Sequence, residues 1–252
     1  MTIHHPIGNA RVTIIKNCAK FLNFTLLLIL SLFLKISSKK NEIIISTAIA
    51  APWKEDEQFS LFYKKIKKLT LLDTKRLYTL WYLAKDLKTV NANIIDIGCM
   101  EGGAGFAMSK INSKGQTLMF DTFEGFFEEE KFHKKNKHFI YKEINVVRNN
   151  INKFNLKNTK VFKCQFPKNL NASIKKKKFK LCHIDVNTYK STKNAFNFIK
   201  SRMIKGGAIV FDDYGIYGAD QIKMFINSIS KKHQKQFTFI YNFMGQCILI
   251  KK

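Results

Sequence analysis

The 252-residue sequence has no C-x-x-C pair and no H-x-x-x-H or similar histidine pair. Its five cysteines and six histidines are scattered, so the ligand spacings typical of a zinc site are missing. An odd number of cysteines, several of them in predicted strands, is typical of buried reduced thiols rather than of a disulfide framework. We therefore expect a protein of a reducing compartment, the cytoplasm.

Acidic residues are also scarce, because 18 Asp and Glu stand against 44 Lys and Arg, a formal net charge of +26. Such an excess favours anionic partners such as nucleic acid, an acidic glycan or an anionic membrane surface. The interleaved aromatic and arginine residues of a nucleic-acid surface are missing, however. The plainer explanation is heavy use of Lys on solvated faces. We favour that explanation and predict no nucleic-acid partner.

The sequence lacks an uninterrupted apolar run of the about 20 residues that a membrane-spanning helix needs. The candidate run, residues 21–36, is shorter and contains Asn23, Thr25 and Ser31. Three interpretations stay open: a membrane anchor at the cytoplasmic face, a helix buried against the domain or against a partner in a homo-oligomer, and a signal sequence cleaved near Ala50. Because the composition then changes, we predict an N-terminal extension over residues 1–50 and a globular domain over residues 51–252.

Apolar patterns of helix and strand type alternate from residue 51 onward. Helical spacing predicts two helices within residues 59–87, broken near residues 70–73. Strands are predicted over residues 93–98, 116–121, 159–166, 180–186 and 207–211, with helices ending at residue 110 and covering 192–203 and 220–230. Residues 237–242 and 246–250 predict an antiparallel hairpin. The predicted fold class is α/β: a doubly wound, Rossmann-like, mostly parallel sheet with an antiparallel last strand and an N-terminal helical extension.

A glycine-rich turn follows the first predicted strand and contains Asp96, Gly98, Glu101, Gly102 and Gly103. Glycine there lets the backbone approach a ligand across the carboxyl end of the strand. The spacing G-x-x-x-G-G differs from the dinucleotide fingerprint G-x-G-x-x-G, so an ordinary tight turn is an alternative. Asp121 ends the second strand, where a carboxylate can bind a ribose diol or cap a helix. Together these residues predict a nucleoside-cofactor site.

Carboxylates also follow the fourth and fifth predicted strands, Asp185 after the fourth and Asp212 with Asp213 after the fifth. Neighbouring parallel strands would bring them to one sheet edge, about 5 Å apart. We expect no basic side chain beside them, so the three charges would repel one another. A hard cation such as Mg²⁺ would remove this repulsion. Capping of the next helix by Asp212 or Asp213 is the competing interpretation.

These motifs resemble the macrocin O-methyltransferase (TylF-type) family of class I S-adenosylmethionine-dependent sugar O-methyltransferases. The resemblance runs from about Pro52 to the C-terminus and includes the helical segment TLLDTKRLYTLWYLA, the strand-one turn and the element D-T-F-E-G at residues 121–125. The longest matches are the acid-rich motif at residues 185–192 and G-G-x-x-x-x-D-D-Y-G at residues 206–215.

The resemblance implies an S-adenosylmethionine-dependent O-methyltransferase that acts on a sugar hydroxyl of a larger acceptor. It implies Mg²⁺ or another divalent cation on Asp185, Asp212 and Asp213, with Asp185 or Asp213 as the general base. Residues 126–141 and the N-terminal segments are expected to contact the acceptor. The cofactor-binding residues that it implies are Thr70, Asp96, Gly98, Glu101, Gly102, Gly103, Asp121, Thr122, Phe123 and Phe166.

Three residues depart from the family pattern. Asn187 stands where many members have a second Asp, Glu101 replaces a usual Arg, and Cys164 replaces a Gly. The first two change the charge near the cofactor or the metal, so the affinity for either can differ from that of other members.

Other functions agree with parts of the sequence. An NAD-dependent oxidoreductase would need the tighter glycine fingerprint and would leave the Asp212–Asp213 pair without a task. A methyltransferase acting on nucleic-acid bases generally has an N/D-P-P-Y-type motif after strand four, where this chain has VNTYKST. A non-catalytic, membrane-attached protein that binds a nucleoside cofactor is the alternative that stays open.

Overall fold

The computed structural model describes residues 6–34, 50–125 and 143–252 of the chain. The chain divides into two compact units, Met1–Pro52 and Trp53–Lys252, close to the predicted boundary after residue 50. The predicted acceptor loop at residues 126–141, the end of the apolar run at residues 35–36 and residues 48–49 of the proposed cleavage site lie outside the described residues.

A single long helix, α1 (Pro6–Leu34), forms most of what the structure describes in the N-terminal unit. It begins well before the predicted apolar run, because residues 13–20 continue in helical conformation without an interruption by Gly or Pro. Its segment Thr13–Phe33 has 21 residues and is long and apolar enough to cross a membrane, by length and composition. Only 6% of that segment is buried, and Phe21, Phe24 and Phe33 are exposed.

The second unit alternates strands and helices as predicted. Its helices are α2 (Pro52–Glu55), α3 (Glu57–Ile66), α4 (Thr74–Asp86), α5 (Gly103–Ile111), α6 (Ile144–Lys153), α7 (Ala172–Lys175), α8 (Tyr189–Ile199) and α9 (Asp220–His233). Its strands are β1 (Asn93–Ile97), β2 (Thr117–Asp121), β3 (Thr159–Lys163), β4 (Phe179–Ile184), β5 (Met203–Phe211), β6 (Phe237–Tyr241) and β7 (Cys247–Lys251).

The strands form one seven-stranded sheet in the order β3-β2-β1-β4-β5-β7-β6. β1 to β5 pair in parallel, whereas β7 lies antiparallel between β5 and β6. The strand order reverses between β1 and β4, which is the position where doubly wound sheets bind their ligands. The predicted fold class is confirmed.

The two faces of the sheet are covered by different helices, because successive side chains of a strand point to opposite faces. Ile94 of β1 packs in a core with residues of α3 to α6, and Ile95 packs in a second core with residues of α7 to α9. Leu181 of β4 and Val210 of β5 belong to the first core. The residues two positions further along each strand, among them Asp96, His183 and Asp212, therefore face the side of the sheet on which α4 lies.

The start of α4 places one basic side chain over this edge of the sheet. Asp73 caps the helix, since its Oδ1 accepts hydrogen bonds from the backbone N–H groups of Lys75 (2.9 Å) and Arg76 (3.2 Å). The cap confirms the break predicted near residues 70–73. The Oδ2 of Asp73 accepts from Nε of Arg76 at 2.9 Å, which fixes the direction of that guanidinium group.

Candidate active site

A cleft of about 1030 Å³, open solvent at its mouth included, lies at the carboxyl ends of β1, β2 and β4. Five of the predicted cofactor residues line it: Thr70, Gly98, Asp121, Thr122 and Phe166. Several further lining residues were not predicted from the sequence, namely Leu69, Leu71, Leu72, Cys99, Met100, Gln165, His183 and Ser191.

The other five predicted cofactor residues are not among the lining residues of this cleft. Gly102 has φ of +95° at the cap position of α5, and the N–H of Gly103 donates to Leu69 O at 2.9 Å. Phe123 is fully buried in the first core, and Glu101 is half-buried on the turn. Asp96 is fully buried and bonded to His183. Their contribution to cofactor binding stays a prediction, and these contacts give them packing and positioning roles.

Gly98 is the residue that lets the strand-one turn approach β4. Its φ is +90°, and a Cβ on it would lie 1.9 Å from Asp185 O. No other residue type can occupy that position without moving one of the two backbones.

Asp121 joins the first two strand ends rather than capping a helix. Its Oδ2 accepts from Met100 N at 2.7 Å and its Oδ1 from Phe123 N at 2.8 Å. Burial raises the pKa of Asp121 although these backbone groups oppose the shift. The half-buried carboxylate still lines the cleft, where its remaining lone pairs can accept bonds from a diol.

The predicted carboxylates of β4 and β5 do meet at one edge of the sheet. Ile184 pairs with Phe211, and Asp212 N donates to Ile184 O at 3.0 Å, so Asp185 and Asp212 follow side by side. His183, Asp185 and Asp212 each bring one potential metal-ligand atom within 4.8 Å of the others. Asp213 is not part of that group.

The expectation that no basic side chain lies beside the carboxylates is wrong. Nη1 of Arg76 forms a short ion pair with Oδ2 of Asp212 and lies 3.3 Å from Oδ1 of Asp213. The capping alternative is wrong too, because α9 has Ala219 at its cap position. With Arg76 among them, the three carboxylates by themselves do not establish an enzyme.

A second group missed by the sequence analysis holds Asp212 from the opposite side. Nε2 of the fully buried Gln246 donates to Oδ1 of Asp212 at 2.9 Å. Oδ1 of Asn242 accepts from Gln246 N at 3.1 Å and from Met244 N at 3.0 Å, which fixes the β6–β7 turn. Asp212 is thus held between α4 and this turn through both of its oxygens.

His183 and Asp96 form a buried pair on β4 and β1, which are directly opposed in the sheet. Nδ1 of His183 lies 2.8 Å from Oδ1 of Asp96, and the two side chains are 1% and 0% exposed. Burial alone would lower the pKa of His183, but the hydrogen bond to Asp96 and the nearby carboxylates raise it to about 9. His183 lies two residues before Asp185, so the alternation of side chains along a strand places both on the same face of the sheet. The position of His183 could therefore have been predicted from the sequence.

Asp185 has the most perturbed carboxyl of the site. Burial and then the charges of Asp212 and Asp213 raise the pKa of Asp185 well above its ordinary value, against the opposing effect of His183 and Arg76. Burial and Asp212 also raise the pKa of Asp213. A carboxyl group with a strongly raised pKa at the wall of an open cleft is a candidate functional group.

Two of the three departures from the family pattern lie in the cleft wall. Asn187 and Cys164 line it, whereas Glu101 is not among the lining residues. Asn187 has φ of +57°, a left-handed conformation that Asn tolerates better than most residues.

The macrocin-O-methyltransferase (TylF) family matches residues 65–239, well over half of the chain. The chain belongs to the TylF family. The prediction of an S-adenosylmethionine-dependent O-methyltransferase is thereby confirmed at the level of family and fold. No curated protein sequence matches the chain significantly.

Solved structures agree on the fold. The O-methyltransferase NovP superposes with a TM-score of 0.64 at 17% identity, covering 73% of this chain and 82% of NovP. CalS11, a calicheamicin methyltransferase, gives 0.58 at 10% identity with 82% and 99% covered. An O-methyltransferase from Bacillus cereus in complex with SAH gives 0.51 at 15% identity with 82% and 94% covered.

Proposed function

We propose that this chain transfers a methyl group from S-adenosylmethionine to a sugar hydroxyl with the help of a divalent cation. The observation that carries the proposal is the position of Asp185. It lies in the wall of the cleft at the reversal of strand order, in a chain of the macrocin O-methyltransferase family. NovP and the calicheamicin methyltransferase CalS11 are structural neighbours of similar fold.

The cofactor would lie across the ends of β1 and β2. Gly98 lines the cleft at the end of β1, and Asp121 offers carboxylate oxygens to a ribose diol. Thr70, Thr122 and Phe166 would complete its surroundings as polar and aromatic wall. The B. cereus neighbour was solved with SAH, which agrees with such a ligand in this fold.

The charges of the acid group agree with a bound divalent cation. The guanidinium group of Arg76 pairs with Asp212 and Asp213, and burial followed by the charges of these two carboxylates raises the pKa of Asp185. Asp185 and Asp212 would hold the cation. The negative charge of Asp213, which lies beside Arg76, would attract the cation to the site. A divalent cation bound there supplies a Lewis acid that lowers the pKa of an acceptor hydroxyl.

Asp185 would act as the general base. The acceptor oxygen forms its bond to the methyl carbon as the methyl–sulfur bond breaks, and the hydroxyl proton passes to Asp185. Such a transfer needs in-line approach, so most of the rate enhancement comes from positioning. Asp213 is the weaker candidate, because its Oδ1 already accepts from Arg76.

The test is a labelled-methyl transfer assay against extracted cell-surface glycans, with Mg²⁺ or with EDTA. We expect Asp185→Asn to abolish transfer while calorimetry still detects S-adenosylhomocysteine, and Asp86→Asn, an exposed acid on α4, to behave as wild type. Full activity in EDTA would remove the cation from the proposal. Absence of any heat with S-adenosylhomocysteine would instead favour a non-catalytic protein.

We also propose that α1 attaches the protein to a membrane. The 21-residue segment Thr13–Phe33 has a length of about 30 Å at 1.5 Å per residue, which equals the hydrocarbon thickness of a bilayer. Exposure of Phe21, Phe24 and Phe33 on one helix is unfavourable in water and favourable in lipid. Arg11 precedes the segment and Lys35, Lys39 and Lys40 follow it, which agrees with an anionic surface.

A further inference from the structure

Exposed apolar side chains are concentrated beside the cleft. Nine large apolar side chains are exposed among the described residues of the second unit, and four of them come from two short segments. Ile216 and Tyr217 follow β5, and Phe243 and Met244 lie in the β6–β7 turn. Ile216 lies over that turn, because a Cβ on Gly245 would be 2.5 Å from its Cδ1. The two segments therefore form one continuous surface, and we call its four exposed side chains the apolar rim.

The apolar rim begins directly beside the acid group. The N–H of Ile216 donates to Asp213 O at 3.3 Å, and the β6–β7 turn continues into Gln246, whose amide donates to Asp212. In the sheet, β5 and β7 lie on the other side of β4 from β1 and β2, whose ends carry the predicted cofactor residues. The cofactor would occupy that side of the cleft. The remainder of an acceptor whose hydroxyl reaches Asp185 therefore extends over the rim.

The side chains of the apolar rim suit a hydrocarbon chain better than a polysaccharide. Phe243 and Tyr217 are 74% and 67% exposed, so most of their apolar surface contacts water. Phe, Ile and Met offer no strong hydrogen-bond group, and a glycan laid over them would lose water contacts without replacement. A hydrocarbon chain would instead bury apolar surface on both partners. Contiguous apolar surface on a globular domain usually marks a binding site.

We propose that the acceptor sugar is carried by a membrane lipid, and that the lipid chain lies on the apolar rim while the sugar enters the cleft. The proposal rests on the function proposed above and names its substrate class. A lipid is favoured over a small soluble aglycone because the same chain contains Thr13–Phe33, an exposed apolar helical segment long enough to cross a bilayer. An enzyme attached to a membrane meets acceptors confined to the same surface at a high effective concentration.

The first experiment compares acceptors with and without the lipid. The full chain and labelled S-adenosylmethionine are incubated with an organic-solvent extract of glycolipids, with the same extract after mild acid has released the glycans, and with the small water-soluble glycosides of the same cells. We expect the glycolipids to be labelled at least about tenfold faster than the released glycans, since burial of two CH₂ groups already contributes that factor. Equal labelling of intact and released glycans, or label confined to the small glycosides, would overturn the inference and leave the methyl transfer standing.

A double variant with Tyr217→Ser and Phe243→Ser tests the apolar rim itself. Both side chains are exposed, so the fold and the binding of S-adenosylhomocysteine should be unchanged. The KM for the glycolipid extract should rise at least about tenfold with kcat unchanged, because the rim binds substrate and transition state alike. The matched control, Leu61→Ser with Tyr82→Ser, removes similarly exposed side chains from α3 and α4 and should keep the wild-type KM. An unchanged KM in the rim variant would contradict the proposal.

Photolabelling gives an answer that does not depend on turnover. The probe is dodecyl maltoside with a photoreactive diazirine in its alkyl chain, used below its micelle concentration, and labelled peptides are identified by mass spectrometry. We expect label within residues 214–219 and 241–246, and competition by dodecyl maltoside but not by maltose. Label confined to residues 13–33, or no label, would overturn the inference.

Calorimetry with S-adenosylhomocysteine on the same sample separates this inference from the proposed function. Binding of S-adenosylhomocysteine without label on the apolar rim removes the lipid and leaves the methyl transfer. Label on the rim without binding of S-adenosylhomocysteine supports the lipid site and removes the methyl transfer.

Discussion

Two cations can neutralise the carboxylates of Asp185, Asp212 and Asp213: the guanidinium group of Arg76 and a divalent metal ion. Replacement of Arg76 by methionine distinguishes their contributions. The guanidinium group is 14% exposed and contacts Asp212, whose side chain is 1% exposed. A methionine side chain would keep much of the aliphatic volume and leave Asp212 with the amide of Gln246 as its remaining partner. Removal of one partner from a buried ion pair destabilises a protein by about 3–5 kcal/mol. For a domain of this size that corresponds to a fall in Tm of about 6 °C or more.

A divalent cation should offset part of that loss. In wild type Arg76 competes for the same carboxylates, so Arg76→Met should bind Mn²⁺ or Mg²⁺ more tightly. At a cation concentration 100 times Kd, binding stabilises the folded state by about 2.7 kcal/mol. The assay is urea denaturation of wild type and Arg76→Met, each with a saturating cation or with EDTA. Lys75→Met, an exposed neighbour on α4, serves as the matched control and should differ little from wild type.

Either of two results would show that Arg76 and the cation do not compete for a buried acid group. One is a loss in the unfolding free energy below about 1 kcal/mol, the value of an exposed ion pair. The other is equal stabilisation of wild type and Arg76→Met by the cation, which would mean that guanidinium and metal do not share the acid group.

Three other features can be tested directly. Gly98→Ala should lower the unfolding free energy and the affinity for S-adenosylhomocysteine together, because its Cβ would meet Asp185 O at 1.9 Å; an unchanged Tm would contradict this. Burial lowers the pKa of Lys180 from 10.5 to about 8, so the folded state binds fewer protons than the unfolded state between these values. The unfolding free energy of wild type should therefore rise relative to Lys180→Met from pH 8 to pH 10.5 in denaturation series, and parallel profiles would disprove it. The full chain should float with anionic vesicles, and a double variant with Phe24→Asp and Leu28→Asp should not. Equal flotation of wild type and the double variant would show that α1 is not the membrane anchor.

The sequence predicted the fold well because the determinants of the fold are periodic. Alternation of Ile94 with Ile95 sorts the sheet into its two cores, and the same alternation brings Asp185 beside Asp212. Boundaries were less accurate. β5 begins at Met203 rather than at residue 207, and α8 begins at Tyr189 because Thr188 accepts a hydrogen bond from Ser191 N.

Arg76 and Gln246 could not be found in this way. They reach Asp212 from positions 136 residues before it and 34 residues after it, and no local pattern records such a contact. A strand pattern gives the direction of a side chain relative to its own sheet, whereas the approach of a helix to that sheet depends on the packing of the whole layer. His183 differs, because its position two residues before Asp185 was available and its partner Asp96 was already named.

The bond between Gln246 and Asp212 also bears on how the protein matures on the ribosome. Asp212 emerges together with β5, but β5 has no neighbour on its outer side until β7 is synthesised and inserted between β5 and β6. Until then the outer edge of β5 is unpaired and Asp212 lacks the amide of Gln246. Chains that terminate before residue 246 are therefore expected to aggregate through this open edge more readily than the full chain.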